Sequence, residues 1–172
     1  MKINGRNLKR RLYGLAMLPK QLSRVRHFRG HGVHSPFVYR LVRQAFMKRK
    51  LLTNDPRLYE ALRQLGVGSR RATQLQNLYT VCSYQNFLIN RLDASCDLCL
   101  LTESIDDKRT RAMVVDAVQH HTTVALLSPY AGRERATLCH QLIEEHTCTS
   151  VDHRGYVLLF THENLPKQHY RL

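Results

Sequence analysis

Apolar side chains recur at helical spacing through the first half of the chain. Ser35 and Pro36 suit the N-cap and the first position of a helix. The residues that follow predict one apolar helix face, made of Phe37, Val38, Leu41, Val42, Ala45 and Phe46. The same periodicity, at Leu8, Leu12 and Leu15, predicts an earlier helix. Two later helices are predicted, one from Pro56 to a stop at Gly66 and one from about Ala72 to Leu92.

The second half changes to short apolar runs that alternate with helices. Runs of strand length lie at Cys96–Leu101 and Thr122–Ser128, and a hairpin is predicted over residues 149–161. Helices are predicted at Asp107–His120 and Arg133–His146. This order predicts an α/β fold, with an N-terminal helical segment and a truncated Rossmann-like sheet of about three or four strands that closes in the hairpin.

The composition divides the chain into three predicted parts. Residues 1–50 form a basic helical arm, 51–92 a helical connector, and 93–172 the truncated α/β domain. The net charge of +14 lies on the arm, which has 14 Lys and Arg and no Asp or Glu, whereas residues 51–172 have 13 of each sign. Such asymmetry predicts a polyanionic partner. The residues expected to bind it are Lys9, Arg10, Arg11, Arg24, Arg26, Arg29, Arg40 and Arg43.

The partner is expected to be nucleic acid. RNA is preferred, and it could be the RNA of the ribosome. An anionic membrane surface is the alternative, since cationic amphipathic helices suit both partners. The chain has no Trp, which membrane-surface helices often carry. No apolar run reaches the roughly 20 residues of a membrane span, and no signal peptide is visible. Five irregularly placed cysteines suit a reducing compartment, so we expect a cytoplasmic protein.

The motif His31-Gly32-Val33-His34-Ser35-Pro36-Phe37 resembles the N-terminal signature of a bacterial family of class I S-adenosylmethionine (SAM)-dependent methyltransferase-like proteins. The tail after the predicted hairpin, Asn164–Tyr170, is similar to that family's C-terminus, and the Gly66–Arg71 loop to a weaker family element. The resemblance implies a helical lead-in followed by a Rossmann-like domain. Within the motif we expect His31, His34, Ser35, Pro36 and Phe37 to have a structural role.

The middle of the chain departs from this family's pattern. A SAM site needs a strand that ends in a glycine-rich turn, whereas Gly66-Val67-Gly68 follows a predicted helix. The family's sheet has seven strands, and the early ones are expected to be missing between Leu92 and Cys96. We therefore expect a shortened, degenerate member with no catalytic or cofactor-binding residues and no cofactor. An active methyltransferase whose site another chain completes is the alternative. The N-terminal helices or another chain should cover the shortened sheet's edge.

Three groups of side chains have an alternative chemical interpretation. Cys96 and Cys99 have zinc-ligand spacing, but residues three apart on a strand face opposite sides, which favours buried thiols. Histidines between His27 and His34 could bind a metal, although hydrogen bonds within a turn are favoured. Asp106 and Asp107 fit a helix N-terminus better than a ribose site. No metal site is therefore predicted.

Overall fold

Helix α1 begins at the predicted Ser-Pro cap. The computed structural model describes residues 34–162 and 164–172. Helix α1 spans Pro36–Leu41, and the Ser35 hydroxyl accepts a hydrogen bond from the Val38 N–H at 3.3 Å. A π-helical segment, Val42–Phe46, continues α1. Phe37 is half-buried and the other five residues of the predicted apolar face are buried, so the helix and its face are confirmed.

Two further helices follow and pack on each other. Helix α2 spans Arg57–Gln64 and α3 spans Ser69–Val81. Gly66 lies between them with φ at +77°, a left-handed conformation that glycine adopts readily, so the predicted stop of α2 at this glycine is confirmed. The Gly66–Gly68 loop therefore follows a helix, as expected, and not a strand.

The predicted helix from Ala72 to Leu92 is wrong at both ends. Helix α3 begins earlier, at Ser69, and ends at Val81. Ser83 then takes a left-handed φ of +57°, and strand β1 occupies Phe87–Ile89. Leu88 and Leu92 continue the helical spacing in the sequence, but pairing of β1 in the sheet outweighs that local pattern.

The chain divides into two compact units. The described part of the first unit, residues 34–87, is called the helical unit below. The described residues of 88–172 are called the sheet unit. In the helical unit, α3 packs against both α2 and the π-helical segment. The centre of the helical unit is apolar and includes Leu41, Phe46, Leu58, Leu62, Leu75 and Leu78.

The sheet contains the predicted strands and two more. The predicted strands are β2 (Leu98–Leu101), β3 (Thr123–Leu127), β4 (Ser150–Asp152) and β5 (Tyr156–Leu159). Strands β1 and β6 (His169–Arg171) raise the number to six, so the expected three or four is too low. Strand β1 lies within apolar spacing typical of a helix, and β6 is exposed at His169 and Arg171, so the sequence pattern distinguishes neither as a strand.

The strand order is β1-β2-β3-β5-β4-β6. Strands β2 and β3 are parallel, with helix α4 (Asp107–Gln119) between them in the chain. Helix α5 (Arg133–Glu145) leads from β3 to β4, and β5 returns antiparallel between those two strands. Strand β6 adds to β4 in parallel. The predicted α/β fold with a C-terminal hairpin is confirmed.

One face of this sheet and the two helices form an apolar core. Strand residues Cys99, Leu101, Leu126 and Leu159 are buried in it, together with Leu142 of α5. Strands β2, β3 and β5 are buried along their whole length, as expected for strands with both faces covered. The edge strands β1 and β6 have three residues each, which limits the unpaired backbone at each edge.

Candidate nucleic-acid interface

The structure describes two of the eight residues predicted to bind nucleic acid. Arg40 on α1 and Arg43 in the π-helical segment are both exposed. The predicted structural motif also lies partly within and partly outside the described residues. His34 and Pro36 are exposed, and Ser35 is buried as the N-cap. The remaining predicted residues lie outside the described part of the chain: Lys9, Arg10, Arg11, Arg24, Arg26, Arg29 and His31.

The excess of basic residues continues beyond residue 50 to the end of the helical unit. Residues 34–87 contain nine Lys and Arg but two Asp and Glu, whereas residues 88–172 contain nine and eleven. All nine basic side chains of the helical unit are exposed. Seven are arginines, whose planar guanidinium matches phosphate oxygens two at a time. We call them the helical-unit cations: Arg40, Arg43, Lys48, Arg49, Lys50, Arg57, Arg63, Arg70 and Arg71.

Several helical-unit cations have defined positions. The Arg40 guanidinium lies over the Phe37 ring, 5.8 Å from its centroid, and Arg43 Nη1 lies 3.8 Å from the sulfur of Met47. Arg63 Nη1 donates to the Val67 carbonyl at 2.7 Å. Arg57 forms an ion pair with Asp55 at 2.8 Å, and this pairing lowers the pKa of the Asp55 carboxyl. The charge of Arg57 is therefore already partly neutralised. Its partner, Asp55, is the first acidic residue in the chain.

Three buried amide side chains of α3 anchor the backbone that carries these cations. The Gln74 amide donates to the Phe46 carbonyl at 3.0 Å, at the end of the π-helical segment. The Asn77 amide donates to the Lys50 carbonyl and accepts from the Leu52 N–H, both at 3.0 Å. The Gln76 side-chain oxygen accepts from the Tyr59 N–H at 2.9 Å. These bonds fix the chain from the π-helical segment to α2 without a titratable group.

Sequence reasoning missed this amide cluster. Gln74, Gln76 and Asn77 are each at most 1% exposed, although amides are usually at the surface. The sequence feature that could have revealed the cluster is the presence of three amides within four residues, interleaved with Leu75 and Leu78, which are buried. A helix with a weak apolar stripe and several buried amides is typical of one that binds neighbouring backbone.

The carboxyl ends of β1 and β2 are joined by a network of polar side chains. In open α/β sheets, ligands bind outside the carboxyl ends of the strands. Here Asn90, which follows β1 with φ at +58°, donates to the Thr102 hydroxyl at 2.8 Å and accepts from the Thr102 N–H at 2.9 Å. The Thr102 and Ser104 hydroxyls are 2.6 Å apart. The groups that would face a ligand at this end therefore bind one another.

Arg135 of α5 extends the same network. Its guanidinium is buried and donates to the Leu101 and Thr102 carbonyls at 3.2 and 3.3 Å, and lies 3.4 Å from the Thr110 hydroxyl. Along the edge, the Tyr130 hydroxyl donates to the buried Asp152 carboxylate. The carboxyl edge of this sheet is thus held together by the chain's own side chains.

The helix N-terminus and cysteine predictions are confirmed in their structural interpretation. The Asp106 carboxylate caps α4 and accepts from the Arg109 N–H at 2.8 Å. Cys96 and Cys99 are buried free thiols, as predicted. The expectation that they lie on opposite sides of one strand is wrong, because Cys96 precedes β2 and both cysteines belong to the same apolar core. Burial raises the pKa of Cys96 to about 11 and that of Cys99 to about 12. Among the described residues, no group of histidines, cysteines and carboxylates could hold a metal ion.

Comparison with known proteins gives no relative of this chain. No family model matches it, and neither a curated protein nor a solved structure matches it. The resemblance to methyltransferase-like proteins therefore stays a prediction based on the motif residues.

Over residues 34–162 and 164–172, no helix has the length and hydropathy that crossing a membrane requires.

Proposed function

We propose that this protein binds RNA through its N-terminal arm and the helical-unit cations, and that its sheet unit is a methyltransferase-like domain without SAM binding or catalysis. The observation that carries the proposal is the unequal division of charge. Residues 34–87 contain nine cations, all of them exposed, and only two acidic residues. Residues 88–172 contain slightly more acidic than basic residues. Phosphate contacts supply most sequence-independent affinity for nucleic acid, so the basic part of the chain is the part suited to binding.

RNA is favoured over an anionic membrane by the type and the setting of these cations. Arginine predominates among them, and it pairs with phosphate by two parallel hydrogen bonds. Five apolar residues of α1 and the π-helical segment are buried within the fold and are not free to enter a lipid bilayer: Val38, Leu41, Val42, Ala45 and Phe46. The five cysteines are free thiols, which fits our further proposal of a reducing, cytoplasmic location.

The polar network at the carboxyl edge supports the loss of SAM binding. A bound cofactor would need hydrogen-bonding groups at the ends of β1 and β2. Asn90 and Thr102 are bonded to each other there, and the Arg135 guanidinium binds the carbonyls at the end of β2. Isothermal titration with SAM should therefore give no heat of binding. A dissociation constant in the micromolar range or below, about −8 kcal/mol or stronger, would contradict this part of the proposal.

RNA binding is tested by removing equal charge from the two units. In one variant, Arg40, Arg43 and Arg49 are changed to Gln. In the matched control, the exposed sheet-unit residues Lys108, Arg109 and Arg133 are changed to Gln. Fluorescence anisotropy of a labelled RNA at about 0.1 M salt, where the screening length is about 10 Å, should give weaker binding for the first variant and wild-type binding for the control.

Four results would contradict the proposal. Wild-type protein that binds no RNA would refute it outright. Equal losses in both variants would show that binding follows the total charge rather than the helical unit. Binding to anionic vesicles in preference to RNA would favour the membrane alternative, and methyl transfer to a substrate in the presence of a second chain would favour the active-enzyme alternative.

A further inference from the structure

Tyr39 is an exposed aromatic ring within the basic part of the fold. It is 47% exposed, while every other Phe and Tyr side chain that the structure describes is buried or half-buried. Burying such a ring against the core would be favourable, and its hydroxyl has no hydrogen-bond partner among the described residues. A single exposed aromatic residue needs no explanation by itself, so its surroundings decide what it can do.

Two arginines flank Tyr39 without covering it. Arg40 is the next residue, and its guanidinium lies over Phe37, one turn before. Arg43 is one turn after Tyr39, and its guanidinium lies near Met47, a further turn on. The Arg40 guanidinium therefore lies toward the start of α1, and the Arg43 guanidinium toward the end of the π-helical segment. The Tyr39 ring is left accessible between two exposed positive charges.

The backbone that carries these three side chains is firmly held. The Tyr39 N–H donates to the Ser35 carbonyl at 2.9 Å, and its neighbours Val38 and Leu41 are fully buried. The π-helical segment that carries Arg43 is bound at its end by Gln74. Segments of π-helix are rare and frequently lie at functional sites. The ring and its flanking charges therefore form a pre-organised group.

We propose that Tyr39 stacks on an unpaired base of single-stranded RNA, with Arg40 and Arg43 contacting phosphates on either side of it. Aromatic side chains in positively charged regions bind single strands in this way, because every base has a face on which a ring can stack. A duplex offers no such face, because its bases are stacked on one another. The inference rests on the proposed RNA binding and adds the form of RNA that is recognised.

Tryptophan fluorescence offers a direct test, since the chain contains no Trp. In Tyr39→Trp, the introduced indole should be quenched on addition of a single-stranded oligouridine and much less by a duplex of equal length. The matched control is Val115→Trp, at a 62% exposed position of the sheet unit, and its fluorescence should not change. Equal quenching by both RNA forms, or quenching by anionic vesicles alone, would overturn the inference.

Affinity measurements separate stacking from the effect of charge. Tyr39→Ala should bind single-stranded RNA about tenfold more weakly, and Tyr39→Phe, which keeps the ring, should stay within about twofold of wild type. Duplex binding should be the same in all three proteins. Unchanged single-strand affinity in Tyr39→Ala, with weaker binding in the Arg40, Arg43 and Arg49 variant, would overturn stacking and leave the proposed function intact. Wild-type protein that binds neither RNA form would overturn both.

Discussion

The two units of this protein differ in where they keep ionisable groups. Among the described residues of the helical unit, the buried polar side chains are hydroxyls and amides, and all nine cations are at the surface. The sheet unit buries Arg135, His146, Asp152 and His153, while its charges nearly balance. One unit has a neutral interior and a charged exterior, and the other has an ionisable interior and a balanced exterior.

This difference indicates how each unit can meet a partner. Amide hydrogen bonds hold the helical unit together at any ordinary pH, so its surface cations remain available to an anionic ligand. In the sheet unit, polar groups that could have faced a ligand are bonded within the fold, as are Asn90, Thr102 and the two terminal nitrogens of Arg135. We therefore expect variants of the helical unit's surface to change binding and variants of the sheet unit's interior to change stability.

The largest stability effect should come from the amide cluster. Asn77→Ala removes the bonds to the Lys50 carbonyl and the Leu52 N–H and leaves both backbone groups without their partner. We expect the free energy of unfolding to fall by about 1–3 kcal/mol, because each of the two lost hydrogen bonds contributes about 0.5–1.5 kcal/mol. Urea denaturation measures this change. Gln64→Ala, at an exposed position of α2, is the control and should have little effect; similar losses in both variants would contradict the anchoring role.

The sheet unit should show the stronger pH dependence. His146 is buried and its Nε2 lies 2.7 Å from the Phe160 carbonyl, to which the neutral imidazole can donate. Burial lowers the pKa of His146 below its ordinary value of 6.5. The unfolded chain therefore takes up a proton before the folded one does, and stability should fall as the pH drops below about 7.

The contribution of this histidine is isolated by substitution. His146→Gln should make the urea midpoint fall less steeply between about pH 7 and pH 5, because the glutamine amide can donate to Phe160 but does not titrate. The exposed His162→Gln variant is the control and should keep the wild-type pH dependence. If His146→Gln keeps it too, the buried histidine does not account for the loss of stability at low pH.

Thiol reactivity should distinguish buried from accessible positions. Burial raises the pKa of Cys82 and Cys139 to about 11, as it does for Cys96, so few of these thiols are ionised at neutral pH. Half-buried Cys148 should react first with iodoacetamide in the native protein, and Cys99 last. Mass spectrometry of peptides at successive times gives the order. Early labelling of Cys99 would show that the sheet core opens more readily than its packing indicates.

The smallest effect should follow from freeing one cation. Asp55→Asn removes the carboxylate that pairs with Arg57 at 2.8 Å, so the helical unit gains both a net charge and a free guanidinium. RNA affinity should rise by a few fold at low salt, and this gain should shrink as salt is added. Arg57→Gln should not raise affinity. An Asp55→Asn variant with weaker binding would contradict a purely electrostatic role for this part of the surface.

The fold was largely predictable because its main elements are long and regularly patterned. Both sheet-unit helices, strands β2 and β3 and the hairpin were located from periodicity to within about two residues, as was the Ser35 cap. Strand β1 was missed because it lies within apolar spacing typical of a helix, and β6 because His169 and Arg171, on either side of Tyr170, are polar and exposed. The helix predicted across Leu88 was wrong because the apolar spacing continued beyond the turn at Ser83.

The candidate site was less predictable than the fold. Arg40 and Arg43 were identified from charge alone, but charge counted over residues 1–50 gave no weight to Arg63, Arg70 and Arg71, which belong to the same compact unit. Tyr39 was overlooked because a sequence does not reveal which aromatic side chain stays exposed. The Arg135 network depends on a contact between residues more than thirty positions apart in the chain, which no local pattern encodes.

The salt dependence of RNA binding shows whether the helical-unit cations contact RNA phosphates. Binding of single-stranded RNA would be measured across a salt series for wild type, for the Arg40, Arg43 and Arg49 to Gln variant, and for the Lys108, Arg109 and Arg133 to Gln control. Each lost phosphate contact should reduce the slope of log affinity against log salt by about 0.7, so the helical-unit variant should lose about two units of slope, and the control none. A helical-unit variant with the wild-type slope, or a control that loses as much, would contradict the claim that the helical-unit cations contact RNA phosphates.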